Sequence, residues 1–259
     1  MIVIKEPWEL GVMRTAGRKL AEVVARLREV VAVGMETREL DRLAEEAIGS
    51  VGGRSAFKGY KPERTPFPAT LCVSINEQVV HGVPGKRLLE AGDLVSLDFG
   101  LVYGGYYADT AFSVLLPPFR DADLALLVAT EAALYEGIAQ ARPGKRVGDI
   151  GYAVETYCKA RSLGIVRKFV GHGIGKALHE EPSVPNYGKA STGPLLKSGM
   201  VLAIEPMITL GGEETRILSD NWTVVTKDGS RSAHFEHTVA ITPSGPEVLT
   251  VLESPARLG

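Results

Sequence analysis

The feature that most limits the fold of this chain is a pair of segments that recur about 110 residues later, in the same order. Residues 88–98, LLEAGDLVSLD, align without gaps on residues 195–205, LLKSGMVLAIE, at an offset of 107. A helical region upstream recurs at an offset of 110, and its matched pairs are Gly34 with Gly144, Leu40 with Ile150, Ala44 with Val154 and Ile48 with Cys158. This period is longer than that of stacked repeats, so it predicts two similar helix–helix–sheet halves that face each other in one domain. We expect a single domain over residues 1–259, with halves at about 5–118 and 119–250.

The first of these segments begins a predicted β-hairpin that turns at Gly104-Gly105, a two-residue turn signal. With no bulge in the strands, Asp98 faces Ala111. Asp109 then lies on the same face as a diagonal neighbour of Asp98, with about 7–8 Å between the α-carbons. Two carboxylates on one face of an apolar hairpin repel each other and resist burial. Either one takes a proton, a cation lies between them, or this face is exposed to solvent.

The spacing of apolar residues predicts two helices in each half. In the first half, Pro7 suits the first turn of one helix, and Thr37 is expected to cap the next. In the second half, Asp121 or Asp123 is expected to cap a helix, and residues 150–160 are helical again.

Composition and charge exclude several classes of protein. The chain is 45% hydrophobic and 23% charged, which is ordinary for a globular protein in water. Its net charge of −2 gives no reason to expect nucleic acid or an anionic membrane as a partner. No signal peptide or membrane-spanning apolar run is evident. The cysteines, Cys72 and Cys158, fit a reducing cytoplasm, although two cysteines can in principle pair.

Two glutamates join the hairpin aspartates as candidates. Glu205 is the counterpart, in the repeat, of the first hairpin aspartate; it is also simply a strand-end position, because Pro206 interrupts pairing there. Residues 232–241 alternate as one strand, which places Glu236 on one face and His237 on the other. If the second face is the core, His237 is a structural histidine.

The remaining candidate is His172, which has a glycine on each side in GHGIG. The glycines let the backbone approach a site closely, but the same pattern also occurs in ordinary loops. The string lacks the spacing and the ending of a phosphate-binding loop. His179 follows seven residues later and is expected on a nearby part of the same loop. Four carboxylates and one imidazole suit two divalent cations of the manganese, iron, cobalt or zinc kind, whereas structural zinc sites favour spaced cysteines.

Six segments, in order between about residues 5 and 250, resemble those of the type I methionine aminopeptidases: NEQVVHGVPGKR, VSLDFG, YYADTA, GHGIGKALHEEP, VLAIEPM and FEHTVAIT. The resemblance implies the "pita-bread" fold, an α/β (α+β) arrangement of pseudo-two-fold halves around a curved, mainly antiparallel sheet. It also implies removal of the N-terminal methionine from nascent polypeptides whose second residue is small (Gly, Ala, Ser, Thr, Pro, Val or Cys). Two divalent metal ions would assist the hydrolysis.

The same resemblance implies roles for individual residues. The metal ligands would be Asp98, Asp109, His172, Glu205 and Glu236, with Asp109 and Glu236 bridging the two ions. Glu205 would also carry protons, while His81 and His179 would contact the substrate, His179 by stabilising an oxyanion. The methionine pocket would be shaped by Tyr60, Phe67, Cys72, Leu178 and Trp222.

Two departures and two rival interpretations accompany this resemblance. Leu178 stands where an aromatic residue is usual, and the loop 60–67 is a few residues longer than in familiar bacterial members. Aminopeptidase P and prolidase share the fold and the ligand set, but they usually carry an additional N-terminal domain. A non-catalytic relative that binds ribosomes or RNA would lose metal ligands and gain basic segments, whereas this slightly acidic chain fills all five ligand positions. We expect a cytoplasmic monomer with at most transient ribosome contact and no nucleic-acid function of its own.

Overall fold

The computed structural model describes residues 1–62 and 65–252, and these form four helices and fifteen strands. The helices are α1 (Pro7–Val30), α2 (Thr37–Ser50), α3 (Asp121–Gln140) and α4 (Val147–Lys159). The strands are β1 (Arg54–Ser55), β2 (Cys72–Ile75), β3 (Gln78–Val80), β4 (Leu94–Tyr103), β5 (Tyr106–Leu115), β6 (Gly164–Ile165), β7 (Gly171–Gly173), β8 (Glu180–Val184), β9 (Val201–Ile204), β10 (Met207–Thr209), β11 (Thr215–Ile217), β12 (Val224–Thr226), β13 (Ser232–His234), β14 (Glu236–Thr242) and β15 (Gly245–Val248). Within the described ranges, none of the helices has the length and hydropathy that a bilayer crossing needs.

The centre of the fold is a nine-stranded sheet whose paired strands are all antiparallel. Its main path runs β1-β4-β5-β14-β9-β7-β8, with β2 added beside β4 and β15 beside β14. The strands β13-β10-β6 and β11-β12-β3 form two further sheets of three strands each. In the main path β4 lies outside β5 as β9 lies outside β14, so the order is symmetric about the β5–β14 pair. The predicted mixed fold, with two related halves around an antiparallel sheet, is confirmed.

Equivalent turns in the two halves make equivalent hydrogen bonds. Gly34, with φ +87°, donates its N–H to the carbonyl of Leu89 at 2.7 Å. Gly144, with φ +86°, donates to Leu196 at 3.1 Å. Both glycines adopt the left-handed conformation that other residues rarely tolerate. The sequence repeat therefore corresponds to a repeated loop geometry.

The matched apolar positions of α2 and α4 also share one environment, the interior. Each of them has at most 1% of its surface exposed: Leu40, Ala44 and Ile48 in α2, and Ile150, Val154 and Cys158 in α4. Burial of such a stripe along one helix face is what holds a short helix in place, because a helix of this length is marginal by itself.

The predicted helix caps are wrong. Thr37 is the first residue of α2, and its hydroxyl exchanges hydrogen bonds with the backbone of Gly85, at 2.8 and 3.1 Å, instead of capping the helix. Neither predicted aspartate caps α3, whose N-cap position is Arg120. Asp123 is buried and pairs with Arg120 and Arg231. For Thr37 and Asp123, a partner distant in sequence takes the side chain that local pattern assigns to the helix end.

The hairpin formed by β4 and β5 has the predicted register. Asp98 pairs with Ala111 and Gly100 with Asp109, without a bulge over ten residues of each strand. Asp98 is 7% and Asp109 4% exposed, so the interpretation in which this face is exposed to solvent is wrong.

The predicted single strand over 232–241 is also wrong, because it breaks at Phe235. The part before the break, β13, pairs with β10, whereas the part after it, β14, pairs with β5, β9 and β15. The adjacent strand β9 is interrupted beside this break. It ends before Glu205, and β10 begins only after Pro206, which has no N–H to donate. The sheet therefore divides at Glu205 and Phe235.

Candidate metal centre

One cavity of about 340 Å³ is lined by all twelve residues that the sequence singled out. They are Tyr60, Phe67, Cys72, His81, Asp98, Asp109, His172, Leu178, His179, Glu205, Trp222 and Glu236. Phe57 and Pro62 complete the lining, and neither was predicted from the sequence. No motif marks these two residues, since only the path of the loop after β1 brings them to the cavity.

Five of these residues form the candidate ligand set. Asp98 and Asp109 lie in the middle of the hairpin, Glu236 begins β14, and Glu205 occupies the break between β9 and β10. One donor atom each from Asp109, His172 and Glu236 lies within 4.8 Å of the other two. Asp98 and Glu205 line the same cavity but stand outside this closest group.

Burial makes the negative charge of these carboxylates costly. It raises the pKa of Asp109 to about 7. For Asp98, Glu205 and Glu236, burial and then the neighbouring carboxylates raise the pKa well above the ordinary range. Asp98 Oδ1 and Glu236 Oε1 are buried and have no hydrogen-bond partner among the described residues. Four such acids cannot all be ionised near neutral pH unless cations lie among them, so the donor set fits divalent metal ions.

The imidazole of His172 is arranged as a metal-ligating histidine would be. Its Nδ1 lies 2.8 Å from the carbonyl oxygen of Gly173 and is placed to donate a hydrogen bond to it. That bond assigns the ring proton to Nδ1 and leaves the Nε2 lone pair free, 3.6 Å from Glu205 Oε1. Burial, and then the nearby His179, lower the pKa of His172 to about 3, which keeps the ring neutral.

His179 stands beside this group on a loop that is anchored from a distance. Its Nδ1 lies 2.6 Å from the hydroxyl of Tyr60, and burial lowers its pKa. The next residue, Glu180, accepts a hydrogen bond from the backbone N–H of Lys176 at 2.8 Å and pairs with Lys5 Nζ at 2.7 Å. The Lys5 side chain is only 2% exposed. A buried ion pair thus fixes the loop that presents His179 to the cavity.

His81 has a strained backbone at the edge of the cavity. Its φ is +58°, a value uncommon for a residue other than glycine. Its ring meets Phe169 and Trp222 edge-on, at centroid distances of 5.6 and 6.0 Å. Burial, and then His179, lower the pKa of His81 to about 4. A neutral imidazole is therefore held between two aromatic rings.

The rest of the cavity is apolar. Trp222 packs edge-on against Phe67 at a centroid distance of 5.1 Å, and Phe67 meets Phe57 at 6.4 Å. Cys72 is paired with Asp98 across the β2–β4 ladder, and burial raises the pKa of its thiol, so it stays uncharged. Leu178 is 3% exposed. The arrangement suits an uncharged side chain beside a strongly polar centre.

Two other histidines lie near the centre. His237 lies 2.9 Å from the Thr250 hydroxyl and 3.3 Å from that of Tyr135, and it does not line the cavity. These contacts agree with the structural role predicted for it. His234, which was not predicted as a site residue, is buried with Nε2 3.7 Å from Glu205 Oε2. Its position two residues before Glu236 is the sequence signal that could have indicated it.

Comparison with known proteins gives a consistent result. Residues 11–243 match metallopeptidase family M24. The chain is 46% identical over 250 residues to methionine aminopeptidase 1 of Bacillus subtilis, covering 96% of this chain and 99% of that protein. The crystal structure of methionine aminopeptidase from Thermotoga maritima superposes with a TM-score of 0.94 at 39% identity, covering 97% of this chain and 100% of that one. The prolidase from Pyrococcus furiosus, at 22% identity and a TM-score of 0.78, shares the fold; the match covers 97% of this chain and 66% of the prolidase. The chain therefore belongs to metallopeptidase family M24, and within that family to the methionine aminopeptidases.

Proposed function

We propose that this chain removes the N-terminal methionine from nascent polypeptides whose second residue is small, by metal-assisted hydrolysis of the first peptide bond. The observation that carries the proposal is the convergence of three buried carboxylates, the partly exposed carboxylate of Glu205 and a neutral imidazole beside an apolar, aromatic-lined cavity. The polar centre suits the amino group and the scissile bond, and the apolar part suits an unbranched thioether. The membership of the chain among the methionine aminopeptidases supports the same conclusion.

Two divalent ions, of cobalt, manganese, iron or zinc, would be held by Asp98, Asp109, His172, Glu205 and Glu236. Within this set Asp109 and Glu236 would be the shared ligands, and their place at the junction of β5 and β14 supports that role. When bound, the ions would neutralise the acids and lower the pKa of a water molecule that attacks the peptide carbonyl.

The protein's own groups would then move the protons and stabilise charge. Glu205 would accept the proton of the attacking water and pass it to the leaving amine. His179 would donate Nε2–H to the oxyanion that forms on the carbonyl, provided that the Tyr60 hydroxyl donates to Nδ1 and so keeps the ring proton on Nε2. His81 would bind the backbone of the substrate.

Specificity would follow from the apolar lining. A methionine sulfur makes favourable contacts with aromatic rings such as those of Phe67 and Trp222. Leu178 stands where relatives usually have an aromatic residue, so this part of the lining has no ring. Norleucine and somewhat bulkier first residues should therefore be tolerated. The rim near His81 and His179 would leave room only for a small second residue.

Hydrolysis of Met-Ala-Ser, Met-Leu-Ser and Ala-Pro-Ala, before and after chelation and with manganese, iron or cobalt added back, tests the proposal. We expect metal-dependent cleavage of Met-Ala-Ser and little turnover of the other two peptides. Comparable rates for Met-Ala-Ser and Met-Leu-Ser would contradict the specificity. A preference for Ala-Pro-Ala would favour the prolidase class, and full activity in verified metal-free protein would refute the mechanism.

We further propose that the chain acts in the cytoplasm as a monomer, touching the ribosome only transiently and having no nucleic-acid function of its own. Its net charge of −2 and its two free, buried cysteines are compatible with this setting. Light scattering after size-exclusion chromatography, with cosedimentation on ribosomes at several salt concentrations, tests it.

The single domain with halves at 5–118 and 119–250 likewise stays a prediction, for which one cooperative unfolding transition is the expected result.

A further inference from the structure

The strand β14 exchanges one of its two neighbours at Thr238. Its first two residues pair with β5, whereas the residues from Val239 onward pair with β15. On its other edge β14 stays paired with β9 through this region. The strands β5 and β15 therefore follow one another along the same edge of β14, and Thr238 lies at the junction between them.

At this junction a side chain takes over from the backbone ladder. The N–H of Thr238 donates to the Thr250 hydroxyl at 3.2 Å, and its carbonyl accepts the N–H of Leu249 at 2.8 Å. If the β5–β14 pairing continued, Asp109 would be the next residue to face Thr238. The Thr238 hydroxyl makes this connection instead: it accepts the N–H of Asp109 at 2.9 Å and donates to the carbonyl of Asp109 at 2.8 Å.

A second threonine joins the same two strands in the opposite direction. The hydroxyl of Thr110 donates to the carbonyl of Glu236 at 2.8 Å, and the N–H of Thr110 donates to Asp109 Oδ1 at 3.1 Å. Thr238 is 0% and Thr110 2% exposed. Because both hydroxyls are buried, solvent cannot replace their hydrogen bonds if either hydroxyl is removed.

The residues held by these hydroxyls are the two proposed to share the ions. Asp109 and Glu236 belong, with His172, to the closest group of donor atoms. Since they lie on different strands, their spacing depends on what joins β5 to β14. We propose that Thr238, assisted by Thr110, is a positioning residue whose hydroxyl holds the Asp109 backbone at the spacing from Glu236 that lets both carboxylates bind the same ions. The inference rests on the proposed function in that it requires divalent ions in this centre.

The test measures the Mn²⁺ affinity of the chelated full-length protein by isothermal titration. Thr238→Val keeps the branched shape but removes the hydroxyl, so we expect the affinity to fall by about 10- to 100-fold, the range for loss of a group that orients metal ligands. Thr238→Ser keeps the hydroxyl and should restore most of the affinity. Thr110→Val removes one hydrogen bond between the strands instead of two, so it should lower the affinity less.

The matched control is Thr130→Val in α3. Thr130 is also 0% exposed, and its hydroxyl donates to the carbonyl of Leu126 at 2.8 Å. This variant loses a buried hydroxyl of the same kind away from the centre, so its Mn²⁺ affinity should equal that of wild type. A general effect of losing a buried hydroxyl would lower the affinity of Thr130→Val and Thr238→Val alike, and that result would count against the inference.

Equal affinities in wild type and Thr238→Val would overturn the inference, as would a loss in Thr238→Ser as large as that in Thr238→Val. If Thr238→Val does not fold, Thr110→Val gives the deciding measurement, and an unchanged affinity there would overturn the inference. If wild type and every variant alike bind no divalent ion, the proposed metal centre itself fails and the inference fails with it. That outcome is distinct from binding in wild type that the substitutions leave unchanged.

Discussion

The two halves of the molecule supply their acids to the candidate metal centre in different ways. In the first half, Asp98 and Asp109 lie in the middle of two ten-residue strands whose pairing is unbroken. In the second half, the counterpart strand β9 is four residues long, and Glu205 follows it in the break before β10. A continuous ladder fixes the backbone on both sides of a residue, whereas a break leaves one side of it without a strand partner. The comparison supports the proposal that the hairpin aspartates hold ions together with His172 and Glu236 of the second half, and that Glu205, at the break, moves protons.

The largest effect should come from the hairpin. Asp109→Asn removes a charge from the closest group of donors, so we expect metal affinity to fall by about 100-fold or more and activity to be lost. Isothermal titration with Mn²⁺ and Met-Ala-Ser hydrolysis measure the two. Asp121→Asn, the same change on the exposed first turn of α3, is the control and should alter neither. Retained metal binding in Asp109→Asn would remove the distinction between the halves.

Glu205→Gln should separate the role of Glu205 from that of the hairpin aspartates. We expect kcat to fall by about 10²–10⁴, the range for loss of a general acid–base group, with a smaller loss of metal affinity than in Asp109→Asn. Single-turnover rates at saturating Mn²⁺ separate the two effects. If Glu205→Gln and Asp109→Asn lose metal equally, Glu205 is only a ligand, and turnover near that of wild type would contradict the proton-transfer role.

His179 belongs to neither strand and should affect turnover without affecting the metal. His179→Ala is expected to lower kcat by about 10²–10³, as loss of an oxyanion donor does, with metal content intact. Tyr60→Phe should lower kcat by about tenfold, because it removes the hydrogen bond between the Tyr60 hydroxyl and Nδ1 that orients the ring. The ¹⁵N chemical shifts of His179 report the tautomer directly. Loss of metal from His179→Ala would make it a ligand.

The smallest effect tests whether the equivalent turns of the two halves, at Gly34 and Gly144, contribute equally to stability. Gly34→Ala and Gly144→Ala each force alanine to a φ near +87°, so each should lower the free energy of unfolding by about 1–2 kcal/mol. Gly11→Ala, inside α1 with no atom near the added carbon, is the control and should raise stability by about 0.5–1 kcal/mol. Chemical denaturation measures all three. Very different costs at Gly34 and Gly144 would contradict the equivalence of the two turns.

Local pattern was sufficient for the parts of the fold that local forces determine. The register of the hairpin followed from a two-residue turn and strand alternation, and the burial of α2 and α4 followed from helical spacing. The convergence of twelve selected residues on one cavity agrees with the predicted site, while their individual roles remain proposals.

What local pattern could not predict depends on distant partners. The break at Phe235 exists because β13 and β14 pair with different sheets, and Phe57 and Pro62 reach the cavity only through the tertiary path of their loop. Thr37 does not cap α2, because its hydroxyl bonds to the backbone of Gly85, far along the chain. A short stretch of sequence contains none of these distant partners.

The ion pair of Lys5 and Glu180 ties the first few residues of the chain to the loop that carries His179. Cutting the chain beyond Lys5 would leave Glu180 as a buried anion without its cation, next to the histidine on which turnover is proposed to depend. Damage at the amino terminus, far from the cavity in sequence, should therefore be detected first as lost activity and only later as lost structure. Proteolysis or engineered truncation in this region should therefore disturb His179 from a distance.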